Sequence, residues 1–405
     1  MQKVVIEKPY RFIPPHRGNW WPAFIQRFDL ISFYLRRSEG VVAHECRGVE
    51  RLGASLEAGH GVMLTPNHCR PGDPIVMGYL ARRARTHVYA MASWHLFHQD
   101  WFTAWSIRKM GGFSVYREGM DRQAINTSIH ILETAERPLI LFPEGSVTRT
   151  NDRLHAFLDG VAFIARTAAK RRKRECGGSV VVHPVAIKYL LQGDLREALQ
   201  PVLAEMEHRL TWQPQDHLPL MRRITNVGLA LLALKEIEYL GRPSGARLAE
   251  RLSALIDRLL CPLEEEWLGG AKSGPVVPRV KALRMVILPD MIRGAITPED
   301  RRRRWRHLAD IYLAQQVSCY LPDYLRTFAS EDRLLETVER FEEDITDRVR
   351  INRSLKVIIQ VEEAIEVSPD RDRSAAVDPL MQQIEERLQA SLDRLATESR
   401  LYEEA

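Results

Sequence analysis

Apolar and polar positions follow two textures along this chain, and the change falls near Gly193. Before it, short apolar runs of strand length alternate with amphipathic stretches of helical period. The runs at 41–49, 61–65, 87–91, 113–116, 138–142 and 179–185 predict strands, and the stretches at 74–83, 121–134 and 158–173 predict helices. Such alternation is the pattern of a mostly parallel sheet covered by helices. Ahead of it, 20–37 reads as one helix with Trp20, Trp21, Phe24, Phe28 and Ile31 on a stripe and Arg36 and Arg37 at its end. After Gly193 the segments 194–210, 218–240, 246–267, 298–317 and 331–349 all carry helical periodicity. Then Leu355-Lys-Val-Ile-Ile-Gln-Val361 returns to β-branched composition, followed by Ile365 and Val367, and 379–399 repeats Leu380, Ile384, Leu388, Leu392 and Leu395 at helical spacing. A single strand arriving after a helical block has few partners of its own, so it is expected to rejoin the first sheet. The expected fold class is α/β: a mostly parallel mixed sheet flanked by helices, with a helical insertion. The units are 1–40, 41–195, 196–350 and 351–405. With no fixed-period repeat, a solenoid is disfavoured.

Composition narrows the class. At 405 residues, 45% hydrophobic and 27% charged, the chain is ordinary globular material, which excludes fibrous, disulfide-scaffold and wholly disordered readings. The formal charge of +5 conceals a split: 47 basic against 33 acidic residues up to residue 330, and 11 against 20 from Glu331 onward. A large basic part points to anionic partners: phosphorylated metabolites, a lipid surface or nucleic acid. Five scattered cysteines without a CxxC pair favour a reducing compartment and argue against a metal cluster. The N-terminal residues place charges inside a short apolar run without a small-residue cleavage site, unlike a signal peptide. The longest nearly uncharged apolar stretch, 224–234, is about half of the roughly 20 residues a membrane span needs.

Three strand ends carry chemistry. In Gly61-Val-Met-Leu-Thr-Pro-Asn-His-Cys-Arg-Pro-Gly-Asp-Pro74 a strand enters a polar loop, and a helix starts with Asp73 as N-cap and Pro74 at its first position. His68 and Asp73 are five apart, and Pro71-Gly72 permits a turn that folds the carboxylate onto the imidazole, leaving the other ring nitrogen the better base. The plain alternative is a capping Asp73 beside an ordinary loop histidine. In Pro138-Leu-Ile-Leu-Phe-Pro-Glu-Gly-Ser-Val-Thr-Arg149 a strand ends in a loop with Glu144, Gly145, Ser146 and Arg149. In Gly111-Gly-Phe-Ser-Val-Tyr-Arg117 an arginine, the residue suited to bidentate phosphate contact, leaves a strand towards the same edge. Open α/β sheets bind ligands at such carboxyl ends. Cys69 invites a thiol-nucleophile reading, though its neighbour position turns it away from His68, and His183 reads as a strand histidine satisfied by its neighbours.

These blocks resemble the glycerolipid acyltransferase family (1-acylglycerol-3-phosphate acyltransferase-like). Its HxxxxD motif is similar to His68 to Asp73, its arginine-terminated block to Gly112-Phe-Ser-Val-Tyr-Arg117, its Phe-Pro-Glu-Gly block to Phe142-Pro-Glu-Gly-Ser146, and its late Val-Pro strand to Val182-His-Pro-Val-Ala-Ile187, all in the family's order. The resemblance implies transfer of a fatty acyl group from acyl-CoA or acyl carrier protein to a hydroxyl of a lysophospholipid or glycerol-phosphate-type acceptor. It makes His68 the general base and Asp73 its orienting carboxylate. Arg117 would hold the acceptor's phosphate, while Glu144, Gly145 and Ser146 shape the acceptor site. No cofactor or metal is implied beyond the donor substrate. One departure matters: Val147 stands where the family commonly has arginine, and Arg149 follows two residues later, so any phosphate binding at this block falls to Arg149 through a different loop path. It motivates the alternative of a catalytically inactive lipid- or partner-binding protein on the same fold. The basic runs at 82–85, 170–174 and 301–306 read as solvated helix ends or as contacts to an anionic membrane or acyl carrier; no nucleic-acid-binding motif accompanies them, so nucleic acid is not an expected partner. The helix at 20–37 reads either as an interfacial anchor or as packing against the sheet. The implied location is cytoplasmic, peripheral on the inner face of the membrane.

Overall fold

A computed structural model describes residues 5–348, 350–351, 353–371, 374 and 377–404. Residues 1–4 of the signal-peptide argument and Val349, the expected end of one helix, lie outside them. The strands are β1 (Val41–Arg47), β2 (Gly61–Pro66), β3 (Tyr89–Ser93), β4 (Gly112–Val115), β5 (Leu139–Ile140), β6 (Val180–Gln192), β7 (Ser354–Val361) and β8 (Ile365–Glu366). They form one sheet in the order β1-β7-β6-β2-β5-β3-β4, with β8 beside β6. The run from β6 to β4 is parallel throughout. β7 is parallel to β1 and antiparallel to β6, so the sheet is mixed. The late strand does rejoin the first sheet: Val361 sits opposite Val185 and Ser354 opposite Gln192. Every residue of β2 and all but the last of β6 are buried, as continuous apolar strands covered on both faces should be.

The helices are α1 (Trp20–Arg27), α2 (Leu30–Ser38), α3 (Val49–Glu57), α4 (Asp73–Arg83), α5 (Trp101–Lys109), α6 (Arg122–Thr134), α7 (Gly160–Cys176), α8 (Leu195–Thr211), α9 (Leu220–Leu240), α10 (Leu248–Leu268), α11 (Val276–Arg293), α12 (Pro298–Ser318), α13 (Tyr324–Thr327), α14 (Glu331–Thr346) and α15 (Pro379–Ala396). The single helix expected over 20–37 is two, because Asp29 adopts a left-handed conformation (φ 51°) between α1 and α2. Asp73 is not the N-cap: Gly72 takes that place and Asp73 is the first helical residue, with its side chain turned back into the preceding loop. The periodicity also passed over α11, whose start Pro275-Val-Val-Pro278 reads as a break. Proline in a first helical turn gives up an N–H that has no intrahelical partner anyway.

Three apolar clusters matter for the site. On one face of the sheet Leu64, Val185 and Ile187 pack with Met77 and Leu80 of α4, Leu199 and Leu203 of α8 and Leu334 and Val338 of α14. On the other, Met63 and Val182 meet Ile129 and Leu132 of α6, Ala165 of α7 and Ile384 of α15. Leu255, Leu283 and Ile311 of α10, α11 and α12 form a separate core that takes in Leu232 of α9. The helical block is thus shared, α8 and α14 lying on the sheet and α10 to α12 packing on each other.

Candidate active site

β2 delivers its loop to the carboxyl edge of the sheet, and Asn67 ties that loop down. Asn67 Oδ1 accepts from Ile187 N–H (2.7 Å) and its amide donates to Ile187 O (3.0 Å), mimicking a further rung beyond β2. The next residue is His68. Asp73 Oδ2 lies 3.0 Å from His68 Nδ1 and also accepts from Arg70 N–H at 2.8 Å, while Asp73 Oδ1 accepts from the Tyr189 hydroxyl at 2.6 Å. Asp73 is wholly buried, whereas the His68 side chain keeps 14% of its surface exposed. A buried carboxylate on Nδ1 places the ring proton there and leaves Nε2 as the basic nitrogen facing outward. The ring is also stacked on Phe142, centroids 4.2 Å apart. A partly exposed imidazole backed by a buried carboxylate can take a proton from a bound hydroxyl, and the carboxylate stabilises the resulting imidazolium.

Glu144 supports the pair from the neighbouring strand end. Its Oε1 accepts from His68 N–H at 2.8 Å and its Oε2 from His155 N–H at 3.0 Å, which joins the two loops through one carboxylate. Burial pushes the Glu144 pKa up to about 7, against the pull of the two N–H groups. The side chain is sealed from solvent, so it shapes the site by holding backbone. Thr148 adds to this, its N–H and hydroxyl both donating to His68 O (2.8 and 3.1 Å). Gly145 has φ 66°, and a Cβ there would stand 2.4 Å from Leu158 Cδ1, so this turn needs glycine. Ser146 is half-buried beside it, without a hydrogen-bond partner among the described residues.

The arginines go elsewhere. Arg149, also left-handed (φ 61°), pairs with Glu343 of α14. Arg117 leaves β4, separated from β2 by β5 and β3, and its half-buried guanidinium makes no hydrogen bond or ion pair among the described residues. The structure therefore brings His68, Asp73 and Glu144 together and sets Arg117 on a flank of the same edge. Burial pushes the Cys69 thiol well above its ordinary range and its Sγ faces Asp73 Oδ1 at 3.9 Å, which removes the thiolate a nucleophile requires. His183 is satisfied by Ser55 Oγ (2.9 Å) and Glu362 O (2.8 Å). Sequence reasoning missed Tyr189, Asn67, His155 and Arg70. Arg70 is buried, 2.8 Å from Glu339 of α14, with its guanidinium over the Tyr189 ring at 5.1 Å. Arg70 stood inside the quoted loop; nothing local marked Tyr189.

A family model described as Acyltransferase matches residues 45–188, the stretch that holds His68, Asp73, Arg117 and Glu144. A 1-acyl-sn-glycerol-3-phosphate acyltransferase of Streptococcus pneumoniae is 35% identical over 99 residues, which cover 24% of this chain and 34% of that protein. The chain thus matches about a third of the length of this curated relative. Over residues 45–188 the chain is thus similar to acyltransferases, this glycerolipid enzyme among them.

Proposed function

We propose that the protein is an O-acyltransferase that moves a fatty acyl group from acyl-CoA or acyl carrier protein to a hydroxyl of a lysophospholipid or glycerol-phosphate-type acceptor, lysophosphatidate among them. The observation that carries this reading is the 3.0 Å contact between His68 and the fully buried Asp73 at the strand edge. His68 Nε2 takes the proton of the acceptor hydroxyl as its oxygen attacks the thioester carbonyl. Asp73 stabilises the imidazolium, which then gives the proton to the departing thiolate. One C–O bond forms and one C–S bond breaks, and no acyl-enzyme is needed because the thioester is already activated. Arg117 holds the acceptor's phosphate. Asp73 itself is held by Tyr189 and the Arg70 amide, so the pair is preorganised before substrate arrives.

The protein works on a membrane surface in this reading. Among the described residues no helix is long and apolar enough to cross a bilayer. Trp20 is 72% exposed and Trp101 79% exposed, with Phe28 at the end of α1, Phe33 on α2 and Phe102 on α5 also exposed. Trp21 of α1 meets Trp105 of α5 edge to face at 4.6 Å, so the aromatics of both helices join one surface. Arg36 and Arg37 close α2, and Arg108 and Lys109 close α5. Exposed aromatics rimmed by cations suit the interface of an anionic bilayer on the cytoplasmic side.

The test is a thiol-release assay with lipid product analysis, using acyl-CoA or acyl carrier protein as donor and lysophosphatidate or glycerol phosphate as acceptor. Transfer is expected, and His68→Ala is expected to lower kcat by about 10²- to 10⁴-fold. Full activity in that variant overturns the mechanism; no transfer from either donor to any lysophospholipid overturns the reading.

A further inference from the structure

α4 carries Asp73 at its start and three arginines at its end, Arg82 and Arg83 in the last turn and Arg85 just beyond. From Asp73 to Arg83 the helix is about 15 Å long. β1 also runs away from the catalytic edge: it is parallel to β7, β7 is antiparallel to β6, and β6 is parallel to β2. Where the two meet lies a cavity of about 380 Å³, lined by His44 and Cys46 of β1, Tyr79, Arg82 and Arg83 of α4, and Arg85. That is the size of a small-ligand site. β1 is the outermost strand, so no further strand covers it.

The floor of the cavity is aromatic: the His44 ring lies flat on the buried Tyr79 ring, centroids 3.8 Å apart and 5° from parallel. Its rim is cationic. Arg82 pairs with Asp29 at 2.6 Å, whereas the Arg83 and Arg85 side chains make no hydrogen bond or ion pair among the described residues. Glu45, between the two β1 residues of the cavity, points to the other side of the strand and is shared by Arg47 and Lys356 (2.7 and 2.6 Å). The positive charge reaches Cys46: burial pushes its thiol up to about 11, while Arg83 pulls the other way. The dipole of α4 accounts for cations in its last turn. It does not account for Arg85, which lies past the helix in a left-handed conformation (φ 52°) that glycine usually takes, nor for a cavity that all three arginines line.

We infer that this cavity is a second anion site, at the far end of α4 from His68, in which Arg83 and Arg85 grip a phosphate group that rests on the His44–Tyr79 floor. Arginine forks match phosphate oxygens, and a bound phosphate supplies the counter-charge that no carboxylate of the described chain brings to these two residues. The site goes beyond acyl transfer and does not rest on it: a protein without transferase activity answers the test below equally. Two sources offer the same chemistry, a soluble phosphorylated compound and the headgroup of an anionic phospholipid. The second is within reach, because α2 packs on both β1 and α4, and the exposed Phe28 precedes the Asp29 that holds Arg82.

Cys46, inside the cavity, reports its occupancy. Its alkylation by iodoacetamide, a neutral reagent, is followed by peptide mass spectrometry beside that of the exposed Cys176. Inorganic phosphate, against chloride at equal ionic strength, is expected to slow the reaction of Cys46 saturably, about tenfold at ten times the midpoint concentration, and to leave Cys176 unchanged. Arg83→Gln with Arg85→Gln is expected to abolish this protection. Both side chains are exposed, so the unfolding midpoint of that variant without phosphate is expected to match the parent's. Lys173→Gln with Arg174→Gln removes the same charge from the exposed end of α7 and is expected to keep full protection. Phosphatidylglycerol vesicles separate the two sources: protection by vesicles that depends on Arg83 and Arg85 assigns the site to a lipid headgroup, and protection by inorganic phosphate alone assigns it to a soluble compound. Alkylation of Cys46 that neither probe slows, protection that survives in the Arg83 and Arg85 variant, or protection lost equally in the α7 variant overturns the site.

Discussion

His68 is oriented by four groups from two stretches of chain: Asp73 on its ring nitrogen, and from the loop after β5 Phe142 against its ring, Glu144 on its N–H and Thr148 on its carbonyl. Only the first of these could be argued from spacing, since five residues around Pro71-Gly72 allow a turn. Glu144 drew attention as a carboxylate at a strand end, and its use as a double backbone acceptor emerges from the tertiary arrangement. That use is testable. Glutamine keeps the shape but replaces one acceptor oxygen with an NH2 that would face an N–H. Glu144→Gln is expected to leave a buried N–H unpaired, costing about 1–3 kcal/mol of stability, and to lower kcat more than tenfold by loosening His68. Chemical denaturation and turnover measured on the same preparation check it; a variant as stable and active as the parent removes Glu144 from this role. Tyr189, 116 residues from Asp73 along the chain, had no local signal at all.

Among the elements, α14 shows where periodicity stops being informative. Its apolar stripe of Leu334, Leu335, Val338 and Phe341 was legible and does face the sheet core. Its charged residues are largely buried as well. Asp332 Oδ1 accepts from Leu191 N–H (2.6 Å), Arg333 meets Asp152 (3.0 Å), Glu339 pairs with Arg70 (2.8 Å), and Glu343 pairs with Arg149. Through the last two, α14 braces both loops of the site. Glu336 sits in the same layer, its pKa pushed up to about 8 by burial and then by Asp152. A carboxyl with a raised folded pKa holds its proton when the unfolded chain has released it, so stability falls as pH rises from about 4.5 to about 8. Both hydrogen bonds to Glu336, from Asn151 N–H and the Tyr324 hydroxyl, end on Oε1, and glutamine retains that oxygen. Glu336→Gln is therefore expected to flatten the decline in the unfolding midpoint between about pH 6 and 8.5 and to raise the midpoint at the alkaline end by roughly 2–4 °C. Parallel pH dependence in both proteins counts against it.

For the whole molecule, the inserted helices and the returning strand make one nested body: β7 lies between β1 and β6, and Glu331 onward contributes α14, β7 and α15 to the cores around the sheet. The acidic part of the chain thus sits within the basic part, and several of its carboxylates neutralise arginines of the core instead of forming an acidic lobe. The exposed aromatics of α1, α2 and α5 remain outside this body. Because Trp101 and Phe102 are mostly in solvent, Trp101→Ser with Phe102→Ser is expected to leave the unfolding midpoint unchanged. The same pair should weaken sedimentation with anionic phosphatidylglycerol vesicles by at least about tenfold, given about 1.5–3 kcal/mol for burying such a side chain. Equal sedimentation of parent and variant excludes α5 from the membrane contact.

The amino-acid sequence by itself determined what local physics and order along the chain can carry. Apolar runs and helical periods specified the strands and most helices. The His68–Asp73 spacing marked the candidate chemistry, and the ordered blocks carried the resemblance to acyltransferases. Only the tertiary structure decided which distant groups meet: Tyr189 on Asp73, Glu144 across two loops, and α14 against Arg70 and Arg149. The reason is physical. Periodicity records which side of an element avoids water, whereas a buried polar contact depends on partners from elements far apart in the chain, and a charge on the polar side looks the same whether water or another residue will satisfy it.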